Sequence, residues 1–321
     1  MKTFTIGSNE ANQRLDKYLK KLLPNASVSF LYKMLRKKNI TLDKKKATGK
    51  EMLQKGAQVD VFFSDETLHK FMQDTTKMQE EFQMLQRLPM KGLSIVYEDA
   101  DILIADKPYN MLSQKAKEQD LSANEYLLGY LIRNKALSLE TFGTFRPSVC
   151  NRLDRNTTGL LLMGKTLAGA QNLSEGLRER TIHKYYRAIV SGTVTKPLHL
   201  SGWLLKEEHT NQVKILEKKQ EGAVRIETSY EVIQSGKNCS LLEICLITGK
   251  THQIRAHLAS AGHPIIGDRK YGDPAANHDF YDSFHVDHQL LHAYRLEFLD
   301  GRIFTAPMPA NFEKIMQKER G

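Results

Sequence analysis

The chain has few cysteines and no long apolar run, and both shortages exclude whole classes of protein. Its 321 residues include three cysteines, Cys150, Cys239 and Cys245, which are too widely spaced to form a metal-binding pair. Scattered thiols in odd number are typical of a reducing cytosol, so we expect a cytoplasmic protein. No run approaches the roughly 20 apolar residues that a membrane helix needs. The N-terminus also lacks the apolar core of a secretion signal.

Acidic residues are scarce in one segment, residues 14–50. It holds twelve Lys and Arg against two acidic residues, Asp16 and Asp43. That excess equals the net charge of the whole chain, +10, so the remainder is balanced, with 35 basic and 35 acidic residues. A short basic segment on a balanced body is typical of a module that binds a polyanion.

The basic segment is predicted to fold as two amphipathic helices followed by a pair of strands. The helices have their apolar stripes at Leu15, Tyr18, Leu19 and Leu22, and at Leu31, Met34 and Leu35. This order resembles the RNA-binding module named after ribosomal protein S-four. We therefore predict an RNA-binding module over residues 1–63, although a solvated lysine-rich face is the alternative. The candidate RNA contacts are Arg14, Lys17, Lys33, Arg36, Lys37 and Lys38.

The segment after this module, residues 64–90, contains no glycine. Met78, Phe82 and Leu85 can line one side of a short helix there. We interpret the segment as a linker that docks on the main body, which spans residues 91–321.

The most informative stretch of the body is residues 151–164, which read N-R-L-D-R-N-T-T-G-L-L-L-M-G. A polar turn leads into the apolar run Leu160–Met163, a pattern that predicts a buried strand. Asp154 stands between Arg152 and Arg155, and neighbouring positive charge favours its ionised form. Such a carboxylate can act as a nucleophile, as a base or as half of an ion pair. The tripeptide alone does not decide, because Arg-Leu-Asp also occurs at residues 14–16.

Three blocks together resemble the RluA-type pseudouridine synthases, which modify RNA. Residues 151–164 are similar to the family's H-R-L-D-x-x-T-S-G-L-L-L, with Asn151 for its His and Thr158 for its usual Ser. Residues 184–192 match K-x-Y-x-A-x-V-x-G, and residues 248–272 are similar to T-G-R-T-H-Q-I-R-V-H-L…G-H-P-I-x-G-D…Y-G, with Lys250 for an Arg. The family's Lys-Pro also occurs, at Lys107, with Asn110 where the family has glycine.

The resemblance implies roles for individual residues. Asp154 is then the catalytic residue, Arg255 its ion-pair partner, and Tyr186 packs on the target base and can transfer a proton at C5. Arg152 then contacts phosphate or fills the vacated base stack. The same motifs make Lys107, Lys250, His252 and Gln253 further substrate-binding candidates.

Two other interpretations of the third block are less favourable. Gly249-Lys250-Thr251 imitates the end of a phosphate-binding loop, but that motif needs glycine where Ile244 stands, which argues against an ATPase. The block's histidines have no cysteine or carboxylate at ligand spacing, so no metal site is predicted.

The function implied by the family is the isomerisation of uridine to pseudouridine in RNA, without a cofactor. The expected fold is α+β: a bent, mainly antiparallel mixed sheet with flanking helices, plus the small N-terminal α/β module. Large-subunit ribosomal RNA is the preferred substrate and transfer RNA the alternative, with a monomeric enzyme and no membrane partner. Asp154 can attack ribose C1′ or uracil C6, or assist a glycal route. The rival from another class is a non-catalytic RNA-binding or ribosome-assembly protein, which would not require Asp154, Tyr186 and Arg255.

Overall fold

Within residues 1–72, 75–207 and 212–320, which the computed structural model describes, the chain forms two β-sheets. The first has four strands and belongs to the N-terminal module, and the second has eleven strands and forms the body. No helix in these ranges is both long and apolar enough to cross a membrane.

The N-terminal module packs two helices on its four-stranded sheet, whose strand order is β1-β4-β2-β3. Its elements are β1 (Lys2–Thr5), α1 (Leu15–Leu22), α2 (Val28–Arg36), β2 (Ile40–Leu42), β3 (Lys45–Lys46) and β4 (Gln58–Val61). Both predicted helices are confirmed, and every residue of their predicted apolar stripes is buried. Ser27 caps α2 by accepting a hydrogen bond from the Phe30 amide. Helix α2 ends at Arg36, and Lys38, two residues later, has a left-handed backbone conformation (φ 59°). Lys37 and Lys38 at this end are exposed to solvent.

Residues 64–90 contain two helices, α3 (Asp65–Phe71) and α4 (Thr75–Arg87). Leu68 and Phe71 of α3 pack with the core of the N-terminal module. Leu85 of α4 is 1% exposed in the core of the body, and the Phe82 ring meets Phe142 edge-on, with centroids 5.6 Å apart. The predicted docking of this segment on the body is therefore confirmed for α4.

The body is built on the eleven-stranded sheet with helices against it. Its elements are β5 (Ser94–Glu98), β6 (Ile102–Lys107), α5 (Ala123–Arg133), α6 (Leu139–Thr144), β7 (Ser148–Val149), β8 (Thr158–Gly164), α7 (Leu167–Glu179), β9 (Ile182–Ser191), β10 (Leu198–Lys206), β11 (Val213–Leu216), β12 (Val224–Ser235), β13 (Cys239–Leu246), α8 (Gln253–Ser260), α9 (Pro274–Phe284), β14 (Leu291–Phe298), β15 (Ile303–Thr305) and α10 (Ala310–Glu319). The main path runs β11-β10-β12-β13-β9-β14-β8-β6-β5. The predicted α+β class with a mainly antiparallel mixed sheet is confirmed.

The buried strand predicted at Leu160–Met163 is the centre of β8, and all four residues are 0% exposed. Their side chains alternate between two cores, as the pleat requires. Leu161 and Met163 pack in the cluster that contains α5, whereas Leu160 and Leu162 pack with α7. Because both faces are covered, this strand gives the preceding turn a rigid base.

Strand β14 lies between β9 and β8, pairing antiparallel with β9 and parallel with β8. The close approach of β14 to β8 depends on Gly159 (φ +106°), because a Cβ at this residue would lie 2.2 Å from the carbonyl oxygen of Ala293. No other residue type fits that space or adopts that φ without strain.

The module contacts the body through polar groups. Thr144 donates to the Glu10 carboxylate, and Gln171 donates to the backbone carbonyl of Asn12. The Lys21 ammonium also lies 6.0 Å from the centre of the Phe145 ring. The module thus rests on α6 and α7 of the body.

Candidate active site

Asp154 lies in a tight turn at the mouth of β8. The Thr157 amide donates to the Asp154 carbonyl at 3.0 Å, which closes the turn. Ser113 holds the preceding residue at both ends, because its hydroxyl donates to the Leu153 carbonyl and accepts from the Leu153 amide. The Asp154 side chain keeps 29% exposure. A carboxylate on a fixed turn is therefore open to a ligand.

Lys107, predicted as a substrate-binding residue, is not among the residues that line the cavity described below. The residue is 0% exposed, and its ammonium donates to the carbonyls of Pro108, Met111 and Arg155 at 2.9–3.1 Å. Burial lowers the pKa of Lys107 to about 7, although the nearby carboxylates of Asp154 and Asp106 oppose that shift. Lys107 ties the 108–111 loop to the Asp154 turn.

Two departures from the family pattern have structural roles beside this turn. The Asn151 side chain donates to the Leu160 carbonyl and accepts from the Leu162 amide, which fixes the turn to β8. The Thr158 hydroxyl hydrogen-bonds Nδ1 of His292 at 2.7 Å across the β14–β8 pair. Neither substitution changes the charge beside Asp154.

Arg255, in the first turn of α8, joins Asp154 to a second carboxylate. Its Nη1 donates to Asp154 Oδ2 at 2.7 Å, while Nε and Nη2 donate to both oxygens of Asp268 at 2.6 and 2.8 Å. Burial lowers the pKa of Arg255, but Asp268 and Asp154 outweigh burial and hold the pKa above its usual value. Burial raises the pKa of Asp268, and Arg255 outweighs it, so the net pKa is lowered. Arg255 and Asp268 are therefore both charged near neutral pH.

His252 immediately precedes α8 and has a left-handed backbone conformation (φ 54°). Its side chain faces the Asp154 carboxylate. The Val213 amide donates to the Tyr271 hydroxyl at 2.9 Å, so the hydroxyl's own hydrogen is left for His252 Nδ1, 3.1 Å away. Nδ1 is then an acceptor, and the ring hydrogen is on Nε2, 3.9 Å from Asp154 Oδ2. Burial lowers the pKa of His252, and Arg255 lowers it further, against the opposing effect of Asp154. A neutral N–H donor is thus directed towards Asp154.

Tyr186 on β9 is 6% exposed and contributes to the same cavity. Within the described part of the chain its hydroxyl makes no hydrogen bond. Burial, with a smaller contribution from the Asp154 charge, raises the pKa of Tyr186 well above its usual value. The phenol therefore keeps its proton beside Asp154.

The residues above surround one open cavity of about 890 Å³, a volume suited to a nucleoside. Its lining is strongly basic, and Asp154 is the sole carboxylate among the described lining residues. The basic lining residues are Arg152, Arg155, Arg178, Lys184, Lys250, Arg255, Arg269 and Lys270. Such a cavity attracts a polyanion and directs it to a single carboxylate.

The remaining substrate-binding candidates divide into two groups. Arg152 and Lys250 are exposed at the cavity wall and available to a ligand, as predicted. Gln253 is 2% exposed, and its amide bonds Thr248, Thr228 and the Glu227 carbonyl. Gln253 therefore orders the turn before α8 while it also lines the cavity, and its contact with substrate stays a prediction.

The candidate RNA contacts of the module are mostly free. Lys17, Lys33, Arg36, Lys37 and Lys38 are exposed, and none forms an ion pair with a residue that the structure describes. Arg14 differs, because it donates two hydrogen bonds to Asp16, whose carboxylate also accepts from Tyr32. Five cations on one small module remain available to phosphate.

Metal ligation has no geometric basis in the described ranges, where no group of three or more His, Cys, Asp or Glu could hold an ion. The histidines of the third block have other partners. His257 bonds Thr228, and burial lowers its pKa to about 4, while His252 bonds Tyr271.

Several residues of the site were not identified from the sequence. Asp268 and Tyr271 belong to the third block, but nothing in their spacing reveals that one holds Arg255 and the other His252. Lys184 lines the cavity from β9, where burial lowers its pKa. The available signal was its place as the first residue of the K-x-Y-x-A-x-V-x-G match.

Comparison with known proteins agrees with this geometry. The family description "RNA pseudouridylate synthase" matches residues 101–260. Ribosomal large subunit pseudouridine synthase C of Vibrio vulnificus is 30% identical over 325 residues, which cover 98% of this chain and 95% of that protein. Ribosomal large subunit pseudouridine synthase D of Neisseria meningitidis is 30% identical over 323 residues, covering 97% and 80%.

A solved structure, human RNA pseudouridylate synthase domain containing 4, shares the fold. It has a TM-score of 0.57 at 21% identity and covers 76% of this chain and 97% of its own. The chain therefore belongs to the RNA pseudouridylate synthase family, as its RluA-type motifs indicated. It is an RNA pseudouridine synthase, an isomerase, which sets aside the interpretation as a non-catalytic RNA-binding protein.

Proposed function

We propose that this enzyme isomerises uridines in large-subunit ribosomal RNA, with Asp154 as its nucleophile. The observation that carries the proposal is the Asp154–Arg255 pair at the centre of a basic cavity. The choice of RNA rests on the relatives, whose names specify the large ribosomal subunit across nearly the whole chain.

The reaction exchanges one bond for another within a single nucleotide. The bond from C1′ to N1 breaks, the uracil turns, and a bond from C1′ to C5 forms, while C5 loses a proton and N1 gains one. A base stacked in RNA must first leave its stack to reach the cavity. Attack at C1′, attack at C6 and a glycal route all begin from the ionised carboxylate of Asp154.

Each neighbour of Asp154 has a chemical role in this proposal. Arg255 holds the carboxylate in its orientation, and Asp268 fixes Arg255 in turn. His252 supplies a neutral N–H donor to an oxygen of the bound nucleoside or of Asp154. Tyr186 covers the base and takes part in proton transfer at C5. Arg152 and Lys250 bind phosphate at the cavity wall.

The chain divides functionally into a binding module and a catalytic body. Residues 1–63 bind RNA through the exposed cations of α1 and α2. Residues 64–90 link this module to the body, residues 91–321, which catalyses the reaction. All residues assigned to the site come from one chain, so a monomer suffices, and the reaction needs no cofactor. The work is done in the cytoplasm, where ribosomal RNA is available.

The test is to map pseudouridines in cellular RNA with and without the gene, and then to restore it as the parent or as Asp154→Asn. We expect one or more ribosomal pseudouridines to disappear and to return with the parent alone. Asp300→Asn, which alters an exposed aspartate paired with Arg302 far from the cavity, is the matched control and should restore modification.

Three results would contradict the proposal in different ways. Loss of pseudouridine from transfer RNA alone would replace the substrate. Restoration by Asp154→Asn, or purified turnover within about tenfold of the parent (~1.4 kcal/mol), would remove the nucleophile. Loss of turnover after chelation, restored by one divalent ion and not by refolding the RNA, would overturn the metal-free chemistry.

A further inference from the structure

An exposed aromatic stack lies at the rim of the Asp154 cavity. The Tyr109 ring stacks on the His288 ring, with centroids 3.8 Å apart and planes 26° from parallel. His288 lines the cavity, whereas Tyr109 lies beyond the lining residues and keeps 40% exposure. The stack therefore leads from the cavity wall outwards.

Both rings are held in position by groups behind them. His288 Nδ1 and Asp287 Oδ1 are 2.6 Å apart, and the Tyr109 hydroxyl donates to the other oxygen of Asp287 at 3.5 Å. Arg269 Nε donates to the Asp287 carbonyl at 3.1 Å. On the Tyr109 side, the buried Lys107 ammonium holds the same loop. An aromatic surface fixed in advance loses little side-chain entropy when it binds a planar ligand.

The charge around the stack points to the kind of ligand. Arg155, Arg269 and Lys270 line the same cavity as His288, and Arg269 bonds the carbonyl of the residue before His288. A flat exposed ring between basic side chains is the combination that binds single-stranded nucleic acid, in which bases stack on aromatics and phosphates meet cations.

We propose that Tyr109, backed by His288, is a stacking subsite for the base of a nucleotide that flanks the target uridine. The inference rests on the proposed function, since it assumes that the uridine enters the Asp154 cavity. Turning the target out of its stack leaves a neighbouring base without a partner, and the Tyr109 ring supplies one. Because every base has a π-face, the subsite accepts any base and provides affinity without reading sequence.

The test measures how tightly an RNA fragment that contains the target uridine binds to full-length protein. Every protein in the test also carries Asp154→Asn, so that the uridine is not converted during the measurement. Tyr109→Leu should weaken binding by about 5- to 150-fold, the usual effect of losing one base–aromatic stack. Tyr109→Trp and Tyr109→Phe retain a ring and should restore binding. The matched control is Tyr281→Leu, an exposed tyrosine beside His285 that does not line the cavity.

A set of RNAs with one abasic nucleotide at each flanking position identifies the partner. At one position the abasic RNA should bind weakly to the parent, and Tyr109→Leu should add nothing further, because both changes remove the same stack. At the other positions Tyr109→Leu should cause its full loss.

Either of two outcomes overturns the subsite: Tyr109→Leu binds as tightly as Tyr281→Leu, or its loss is equal on every abasic RNA. Thermal unfolding of each variant checks that the fold is intact. If the modified RNA is a transfer RNA, the same abasic series is made on it. The stacking test is then unchanged although the ribosomal assignment has failed.

Discussion

Asp268 holds Arg255 with both carboxylate oxygens and thereby directs the remaining nitrogen, Nη1, to Asp154. The Asp268 side chain is fully buried and that of Arg255 is 8% exposed, so neither charge has water as an alternative partner. The one carboxylate among the described cavity-lining residues is thus oriented by a second carboxylate that is buried behind Arg255.

Asp268→Asn tests this arrangement. The amide has one acceptor oxygen and no charge, so Arg255 loses half of a buried pair and its fixed orientation. We expect the single-turnover rate constant to fall at least about tenfold, with RNA affinity little changed. We expect the free energy of unfolding to fall by about 3–5 kcal/mol. Urea unfolding and single-turnover kinetics measure the two effects. Asp300→Asn removes an exposed Asp–Arg pair and should change neither.

Tyr271→Phe tests whether the hydrogen bond from Tyr271 keeps the His252 imidazole neutral. The Tyr271 hydroxyl can donate to Nδ1 of His252 only while the imidazole is neutral, so loss of the hydroxyl should raise the pKa of His252. Protonated His252 would pair with Asp154 and withdraw the carboxylate from the substrate. The low-pH decline in kcat should therefore occur at higher pH in Tyr271→Phe, while Arg255 and Asp268 stay charged.

His252→Gln is the companion variant for this profile. Its amide keeps a donor near the position of Nε2 but does not titrate, so the decline attributed to His252 should vanish from its pH profile. An acid limb at the same pH in all three proteins would show that His252 does not set it.

Lys107→Met tests the lowered pKa of the buried Lys107 ammonium through the pH dependence of the free energy of unfolding. The folded-state pKa of Lys107 is about 7 and the usual value for lysine is 10.5, so between these values the unfolded chain binds more protons. Stability that depends on Lys107 must then rise with pH across this window. Relative to Lys107→Met, the parent should gain about 1.4 kcal/mol per pH unit above pH 7. Urea unfolding of both proteins at pH 6–9 measures the difference, and a constant difference would contradict the shift.

Charge removal on α2 and its end tests the module as an RNA-binding surface. Replacing Lys33, Arg36, Lys37 and Lys38 by Gln removes four exposed cations. If all four contact phosphate, the slope of log affinity against log salt should flatten by about 3–4 units. The control replaces four exposed lysines of the body, Lys117, Lys196, Lys237 and Lys314, with the same loss of charge. Equal slopes in both proteins would identify the module's lysines as a solvated face.

Periodicity and local motifs were sufficient for much of the fold. The apolar run Leu160–Met163 predicted a strand, and the stripe from Leu15 to Leu22 predicted a helix, because each signal lies within a few residues of sequence. The Asp154–Arg255 pair came from the family motif. Residue types alone could not predict it, since the two positions are 101 residues apart.

Lys107 and Gln253 show why the rest was not predictable. Both belong to motifs that suggested substrate contact, yet their polar atoms bind backbone carbonyls and neighbouring side chains. Whether a polar side chain in a motif faces the ligand or the loop behind it depends on the backbone path. The same holds for Tyr109 and His288, whose stack joins loops that are distant in sequence.

The position of β14 has a consequence for how the enzyme is made. Without β14 the large sheet separates into two pieces: β8 with the Asp154 turn lies in one, and β9 with Tyr186 lies in the other, where β13 leads to Arg255. Strand β14 follows both pieces in the chain and joins them. During synthesis the growing polypeptide therefore holds the Asp154 turn and Arg255 in two unjoined halves, and we expect activity only after residues 291–298 have emerged.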